Sequence, residues 1–223
     1  MSDTTDLIAV LARDAAPVRP LRSPLLRAIG WLLFATLVIG GLVMDHGMRH
    51  DIALRFGQSR FMIEWLGSVS TAILAALAAF YLSVPGRSSA WTLLPIPGLV
   101  LWSLGTGYGC YSDWLRLGPD GLALGTSWDC LRFIALTTVP LSAMLLFLLR
   151  YTAPIRPIPT TILATLSVAA LAAAGQSLMH GLDTTIMVLA WHVGTTSVLL
   201  LAARFAGPRL LDRFYRPSAA GRI

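Results

Sequence analysis

Long apolar runs without charged residues recur along this chain of 223 residues, and short segments that carry its arginines and aspartates separate them. Each run is about as long as a helix that crosses the hydrocarbon core of a bilayer, which takes about 20 residues. The runs cover 28–44, 65–86, 88–112, 133–149, 157–182 and 184–203. This pattern predicts an all-α, polytopic membrane protein with about six transmembrane helices.

Local sequence at the ends of the runs supports this division. Ser23 followed by Pro24 is typical of a helix start, with an N-capping hydroxyl and a proline at the first helical position. Ser127 is a candidate cap for the fourth helix, and Asp183 for the sixth. Pro95 and Pro97 fall inside the third run, where they predict a kink.

The composition favours a membrane over a soluble domain. Hydrophobic residues make up 56% of the chain and charged residues only 13%, with a mean hydropathy of +0.70. Soluble domains carry about a quarter charged residues. The chain therefore holds more apolar material than one small core can bury, and the lipid bilayer is its expected second solvent.

The basic residues predict how the chain is oriented. All 17 are arginines, and the formal net charge is +6. They form no basic stripe interleaved with aromatic residues, which argues against direct binding to nucleic acid. Twelve lie in the tails and in the 85–90 and 150–159 turns, so the positive-inside rule places both termini in the cytoplasm. We expect a multi-pass protein of the bacterial inner membrane, with a cytoplasmic arm (1–24), a transmembrane domain (25–206) and a cytoplasmic tail (207–223).

The N-terminal arm has the pattern of a short amphipathic helix over residues 5–15. Its apolar side chains fall on an arc of about 160°. They are Leu7, Ile8, Val10 and Leu11. The flanking charges are mainly aspartates, whereas interfacial helices are usually basic, so binding in a partner's groove is favoured over adsorption to the membrane. A tail without a function is the alternative.

The two cysteines, Cys110 and Cys130, lie at the outer ends of the third and fourth predicted helices. A disulfide between them is plausible, and the compartment outside the membrane permits one. Two interpretations remain open. The bond is a structural staple, or the thiols form a switch that uses the freedom provided by Gly105, Gly107 and Gly109.

Three histidines are secondary candidates. His46 and His50 are four residues apart just outside the first helix, which suits a pair of metal ligands. His192 lies near mid-depth in the last helix, and an ionisable residue in a membrane is a functional candidate. We find no set of haem-binding histidines, no other cofactor motif and no catalytic constellation, and therefore do not expect an enzyme.

Several stretches together resemble the NrsF family of bacterial membrane proteins, and the resemblance covers nearly the whole chain. They are Thr5–Ile8 with the proline linker at 17–21, Tyr81–Arg87, Leu94–Pro97, Tyr108–Cys110, Asp113–Pro119, the positions Ser127, Cys130 and Phe133, and Trp191–His192. The segment around the cysteines is the most specific of these.

The resemblance implies an anti-sigma factor for an extracytoplasmic-function (ECF) sigma factor. It implies that the arm holds the sigma factor at the membrane, and that Cys110 and Cys130 take part in sensing metal or oxidative stress. The choice of Leu7, Ile8, Val10 and Leu11 as the sigma-binding residues rests on their periodicity. The alternatives are a membrane thiol oxidoreductase, which normally needs a C-x-x-C motif that is absent here, and a small transporter.

Overall fold

The computed structural model describes residues 4–13, 22–118, 128–149, 152, 156–179 and nine positions between 194 and 209. Within this part of the chain the secondary structure is entirely helical. The α-helices are α1 (Thr4–Arg13), α2 (Pro24–His46), α3 (Ile52–Phe56), α4 (Ser59–Leu82), α5 (Ile96–Leu117), α6 (Trp128–Leu149) and α7 (Pro157–Ser177), with a 3-10 turn at Ser89–Leu93.

Five helical segments in the described residues are long and apolar enough to cross a membrane. They are α2, α4, α6, α7 and a segment that begins at the 3-10 turn and continues through α5. The sixth predicted span, 184–203, lies largely outside the described residues, as do Ser127 and Asp183, which we expected to act as caps. The prediction of an all-α, polytopic membrane protein is confirmed.

The five long helices form a bundle with α4 near its centre. Helix α4 packs most extensively against α7 and α5 and also contacts α2, whereas α6 packs against α7 and α2. We call the end where α2 begins and α4 ends the basal end, and the end where α2 ends and α4 begins the apical end. Helix α1 has no extensive interface with any other described helix.

Small side chains let α4 and α7 approach each other closely. Alanine, glycine, serine and threonine occupy most of the buried positions of both helices, as expected where helices associate through packing within a membrane. Three polar side chains also bond to the backbone of a neighbouring helix: Ser167 Oγ to the carbonyl of Ala72 at 2.5 Å, Trp65 Nε1 to that of Ala174 at 3.3 Å, and Trp31 Nε1 to that of Leu141 at 3.3 Å.

The start of α2 is as the sequence predicts. Ser23 Oγ accepts a hydrogen bond from the backbone N–H of Leu26 at 3.3 Å, and Pro24 occupies the first turn. The cap satisfies one of the backbone donors that every helix start leaves without an intrahelical partner.

The predicted kink in the third span is wrong. Pro95 is the N-cap of α5 and Pro97 lies in its first turn, so the two prolines start a helix rather than bend one. Proline suits this place because the first N–H groups of a helix have no intrahelical acceptor. From there α5 runs without interruption to Leu117, past the three glycines that we expected to loosen it.

Candidate functional site

Helix α1 presents an apolar face that nothing in the described structure covers. Its residues Leu7, Ile8, Val10 and Leu11 are 57%, 62%, 57% and 63% exposed, and no residue of the helix is buried. Asp6 lies in the first turn and Arg13 in the last, where each complements the helix dipole. Of the segment 5–15 that the sequence predicts to be helical, the described residues 5–13 lie in α1, and residues 14 and 15 are outside the described part.

A helix of ten residues is only marginally stable alone in water. Packing of an apolar face against another surface is what normally stabilises so short a helix. The exposed face of α1 therefore has the properties of a docking element that gains stability when a partner covers it.

Cys110 carries a free, half-buried thiol on α5, two turns before that helix ends at the apical end. Cys130 lies in the first turn of α6, and its side chain is outside the described part. Helices α5 and α6 are held by different neighbours, since α5 packs along α4 and α6 against α7 and α2. The two cysteines are thus placed at the same end of the bundle on helices without an extensive shared interface.

A group of polar side chains, which we call the apical polar cluster, lies beside Cys110 between α4 and α5. It consists of Arg60, Glu64, Thr106 and Ser112. Arg60 Nη1 donates to Ser112 Oγ at 3.0 Å. The hydroxyl of Thr106 lies 3.0 Å from the carbonyl oxygen of Trp102 and 3.4 Å from Glu64 Oε1, so the two oxygens share its one proton. Thr106 is one helical turn before Cys110, so the thiol flanks this polar part of the interface.

Glycines on α5 make room for the charged residues of this cluster. A Cβ atom at Gly109 would lie 2.5 Å from Arg60 Nη2, and one at Gly105 would lie 3.0 Å from the Cα of Glu64. Gly107 faces open space. The role of Gly105 and Gly109 is thus close packing. Their four-residue spacing, which matches that of Arg60 and Glu64, was the sequence feature that could have revealed the cluster.

The structure separates the two histidines that the sequence paired. Helix α2 ends at His46, and Gly47 then turns the chain with a φ of 87°, so His50 does not lie one turn further along the same helix. His46 Nδ1 donates to the carbonyl of Leu42 at 3.2 Å, and its ring meets Phe133 edge-on. Among the described residues no group of three or more His, Cys, Asp or Glu side chains is placed to hold a metal ion. His192 lies outside the described part.

The apical loop after α2 is fixed by a carboxylate between two arginines. Arg49 donates to both oxygens of Asp51 at 2.5 and 2.8 Å, and Arg55 Nε donates to Oδ2 at 3.0 Å. Hydrogen bonds from Arg49 and Arg55 hold the pKa of Asp51 well below its usual range. The backbone N–H of Arg49 donates to the carbonyl of Leu178, which joins the loop to the end of α7.

The fold and the exposed helix together define a polytopic helical membrane protein with a short amphipathic helix, α1, whose apolar face no described residue covers. Residues 11–212 match the family NrsF, described as negative regulator of sigma F. Because the match covers most of the sequence, the chain belongs to the NrsF family, and its role is that of an anti-sigma factor carrying membrane helices.

No curated protein and no solved structure gives a significant match to the chain. The family match includes Cys110 and Cys130 but begins at Leu11, so most of the apolar face of α1 precedes it. The geometry of α1, rather than the match, is therefore what singles out that face.

Proposed function

We propose that this protein holds an ECF sigma factor at the bacterial inner membrane by the apolar face of α1, and releases it when chemistry at Cys110 and Cys130 changes. The observation that carries the proposal is the exposed face of α1 on a chain that belongs to a family of sigma regulators. A partner that covers this face removes about 60% of each of four apolar side chains from water.

Covering those side chains contributes about 4–7 kcal/mol, since full burial of one Leu, Ile or Val contributes about 1.5–3 kcal/mol. Part of this offsets the loss of freedom on association. The face is thus large enough to dominate a reversible contact and small enough for a modest change elsewhere to release it.

The proposed orientation places α1 and the basal end in the cytoplasm, where a sigma factor is found. Twelve of the 17 arginines support it through the positive-inside rule. Reporter fusions test it directly. We expect fusions after Ser89, Ile155 and Arg222 to be cytoplasmic and fusions after Gly57 and Asp120 to be periplasmic. A periplasmic result after Arg222 would show that the number of spans is odd.

The placement of the cysteines supports a switch more than a staple. Helices α5 and α6 lack an extensive interface, so a link between Cys110 and Cys130 would add a restraint that helix packing does not already provide. In the oxidative case, two thiols and one peroxide molecule give one disulfide and two molecules of water. Such a link biases the bundle only if two states differ in the spacing of α5 and α6.

A sigma-dependent reporter in cells tests the role of the thiols. The variants are Cys110→Ser, Cys130→Ser and the double variant, with and without peroxide or cadmium. The switch predicts that both single variants lose induction and that the double variant behaves like either one. A bias of about 3 kcal/mol corresponds to roughly a hundredfold change in sigma occupancy.

The same experiment identifies a staple. Lower protein levels, with normal induction by the protein that remains, would show that the cysteines only stabilise the bundle. Normal levels and normal induction in all three variants would remove the cysteines from the mechanism.

A further inference from the structure

One buried cation at the basal end lacks acceptors for most of its donors. Arg27, in the first turns of α2, is only 7% exposed. Its Nη2 donates to Ser83 Oγ at 3.1 Å, and its guanidinium lies 5.4 Å from the ring centre of Phe80. Its Nε and Nη1 are buried and have no hydrogen-bond partner in the described structure.

A guanidinium in this state is costly. A buried charge is stable only when it is paired and its N–H groups have acceptors. One neutral hydroxyl and one aromatic ring satisfy a small part of this need. An anion that accepts from the remaining donors would therefore bind favourably.

The chain segments around Arg27 provide no such anion. The described residues of the segments 22–44, 78–100 and 141–160, which contain the basal ends of the long helices, include no Asp or Glu. They do contain other arginines, among them the exposed Arg22 and Arg87. The described helix ends at the basal end thus carry basic but no acidic side chains, so they do not supply the acceptor for Arg27.

The position of Arg27 in the bundle favours one source. It is the fourth residue of a helix that is long and apolar enough to cross a membrane, and the start of such a helix is expected close to the lipid headgroups. The neighbouring side chains Leu25, Leu26 and Ile29 are exposed on the same turns and offer an apolar surface to lipid. A lipid against this face has its phosphate beside the first turn of α2.

We propose that Arg27 binds the phosphate of an anionic phospholipid at the basal end, between the start of α2 and the end of α4. Basic sites between helices at one membrane face are known to hold such headgroups. The protein now covers the two free nitrogens, so the side chain turns outward when lipid binds. This movement breaks one hydrogen bond, to Ser83, and the contact with Phe80.

The test uses the full-length protein in nanodiscs and measures retained lipid by native mass spectrometry. The lipids are phosphatidylglycerol, which is anionic, and phosphatidylcholine, which is zwitterionic. We expect the wild type to retain one phosphatidylglycerol molecule, with about tenfold weaker retention in Arg27→Gln. Arg22→Gln removes an exposed arginine at the same end and is expected to retain the lipid normally.

Further measurements distinguish lipid phosphate from free inorganic phosphate as the ligand. Inorganic phosphate added to phosphatidylcholine nanodiscs is expected not to raise the melting temperature of the wild type. A rise equal to that given by phosphatidylglycerol would show a site for free phosphate and overturn the proposal. Equal retention of both lipids by the wild type, or equal retention of phosphatidylglycerol by Arg27→Gln, would also overturn it. If Arg27→Gln does not fold, the wild-type comparison of the two lipids decides alone.

Discussion

The interface between α4 and α5 and the apolar face of α1 differ in how closely other parts of the protein pack against them. Along α4 and α5, glycines bring the two backbones so close that an added Cβ at Gly67 would lie 2.5 Å from the backbone nitrogen of Trp102. On α1, four large apolar side chains are more than half exposed. The α4–α5 interface has no room for an added methyl group at Gly67, whereas no described residue covers the apolar face of α1.

The difference shows which part of the molecule is complete by itself. Close backbone approach stabilises helices in a membrane, where the hydrophobic effect does not drive them together. An exposed apolar helix in water lacks its main stabilising term until a partner covers it. The bundle thus has packing between its own helices, whereas the described residues give α1 no such packing.

The largest effect on stability is expected from filling the space at Gly67. Gly67→Ala places a methyl group against the backbone of α5, which cannot move aside as a flexible side chain would. We expect a loss of about 3 kcal/mol or more, at the upper end of the range for overpacking. The measurement is the unfolding midpoint of the purified protein in detergent.

Gly30→Ala is the matched control, because nothing lies within 4 Å of an added Cβ at that position of α2. We expect it to unfold like the wild type. Equal destabilisation by the two alanines would show that close packing between α4 and α5 is not the source of the effect. If the fraction of Gly67→Ala protein that folds binds the sigma factor normally, the contrast between the α4–α5 interface and the face of α1 becomes sharper.

A smaller and local effect is expected in the apical loop. The folded-state pKa of Asp51 is lowered, so its contribution to stability is present above its unfolded-state pKa and is lost only as the pH falls through the lower folded-state value. We expect hydrogen exchange of the 49–55 backbone, corrected for intrinsic rates, to be unchanged between pH 7 and pH 5 in the wild type. Asp51→Asn is expected to exchange faster at pH 7.

The control for the loop is Asp45→Asn, since Asp45 is almost fully exposed and bonds to no arginine in the described structure. Its loop should exchange like that of the wild type. If the Asp51 and Asp45 variants behave alike, the two arginines do not organise the loop.

Most of the fold followed from the sequence because apolar length and helix-start chemistry are local properties. Ser23 with Pro24 located the start of α2, and the apolar arc located α1. The start of α4 was missed because charge-free stretches were used as the boundary, and Arg60 and Glu64 lie inside the helix. Their charges are accommodated by contacts with α5, which depend on the tertiary structure.

The candidate site was less accessible to sequence reasoning. A proline such as Pro95 bends a helix when it lies inside one, but it can also stand where a helix begins. Only the preceding turn at Ser89–Leu93 distinguishes the two cases. The four-residue spacing of His46 and His50 does not place them on one helical face, because α2 ends at His46. Arg27 gave no sign in the sequence of being buried, because it appeared as one of many arginines at the end of a span.

The central claim is that the apolar face of α1 holds the sigma factor, and co-purification of the sigma factor with the full-length protein tests it most directly. The variants are Leu7→Asp and Leu11→Asp on the apolar face, with Ala9→Asp on the opposite face as the control of equal charge. We expect loss of the sigma factor from both leucine variants, because an unpaired carboxylate in an apolar groove is costly. Ala9→Asp should retain it, and all three should insert into the membrane normally. Undiminished sigma binding by both leucine variants would contradict the account.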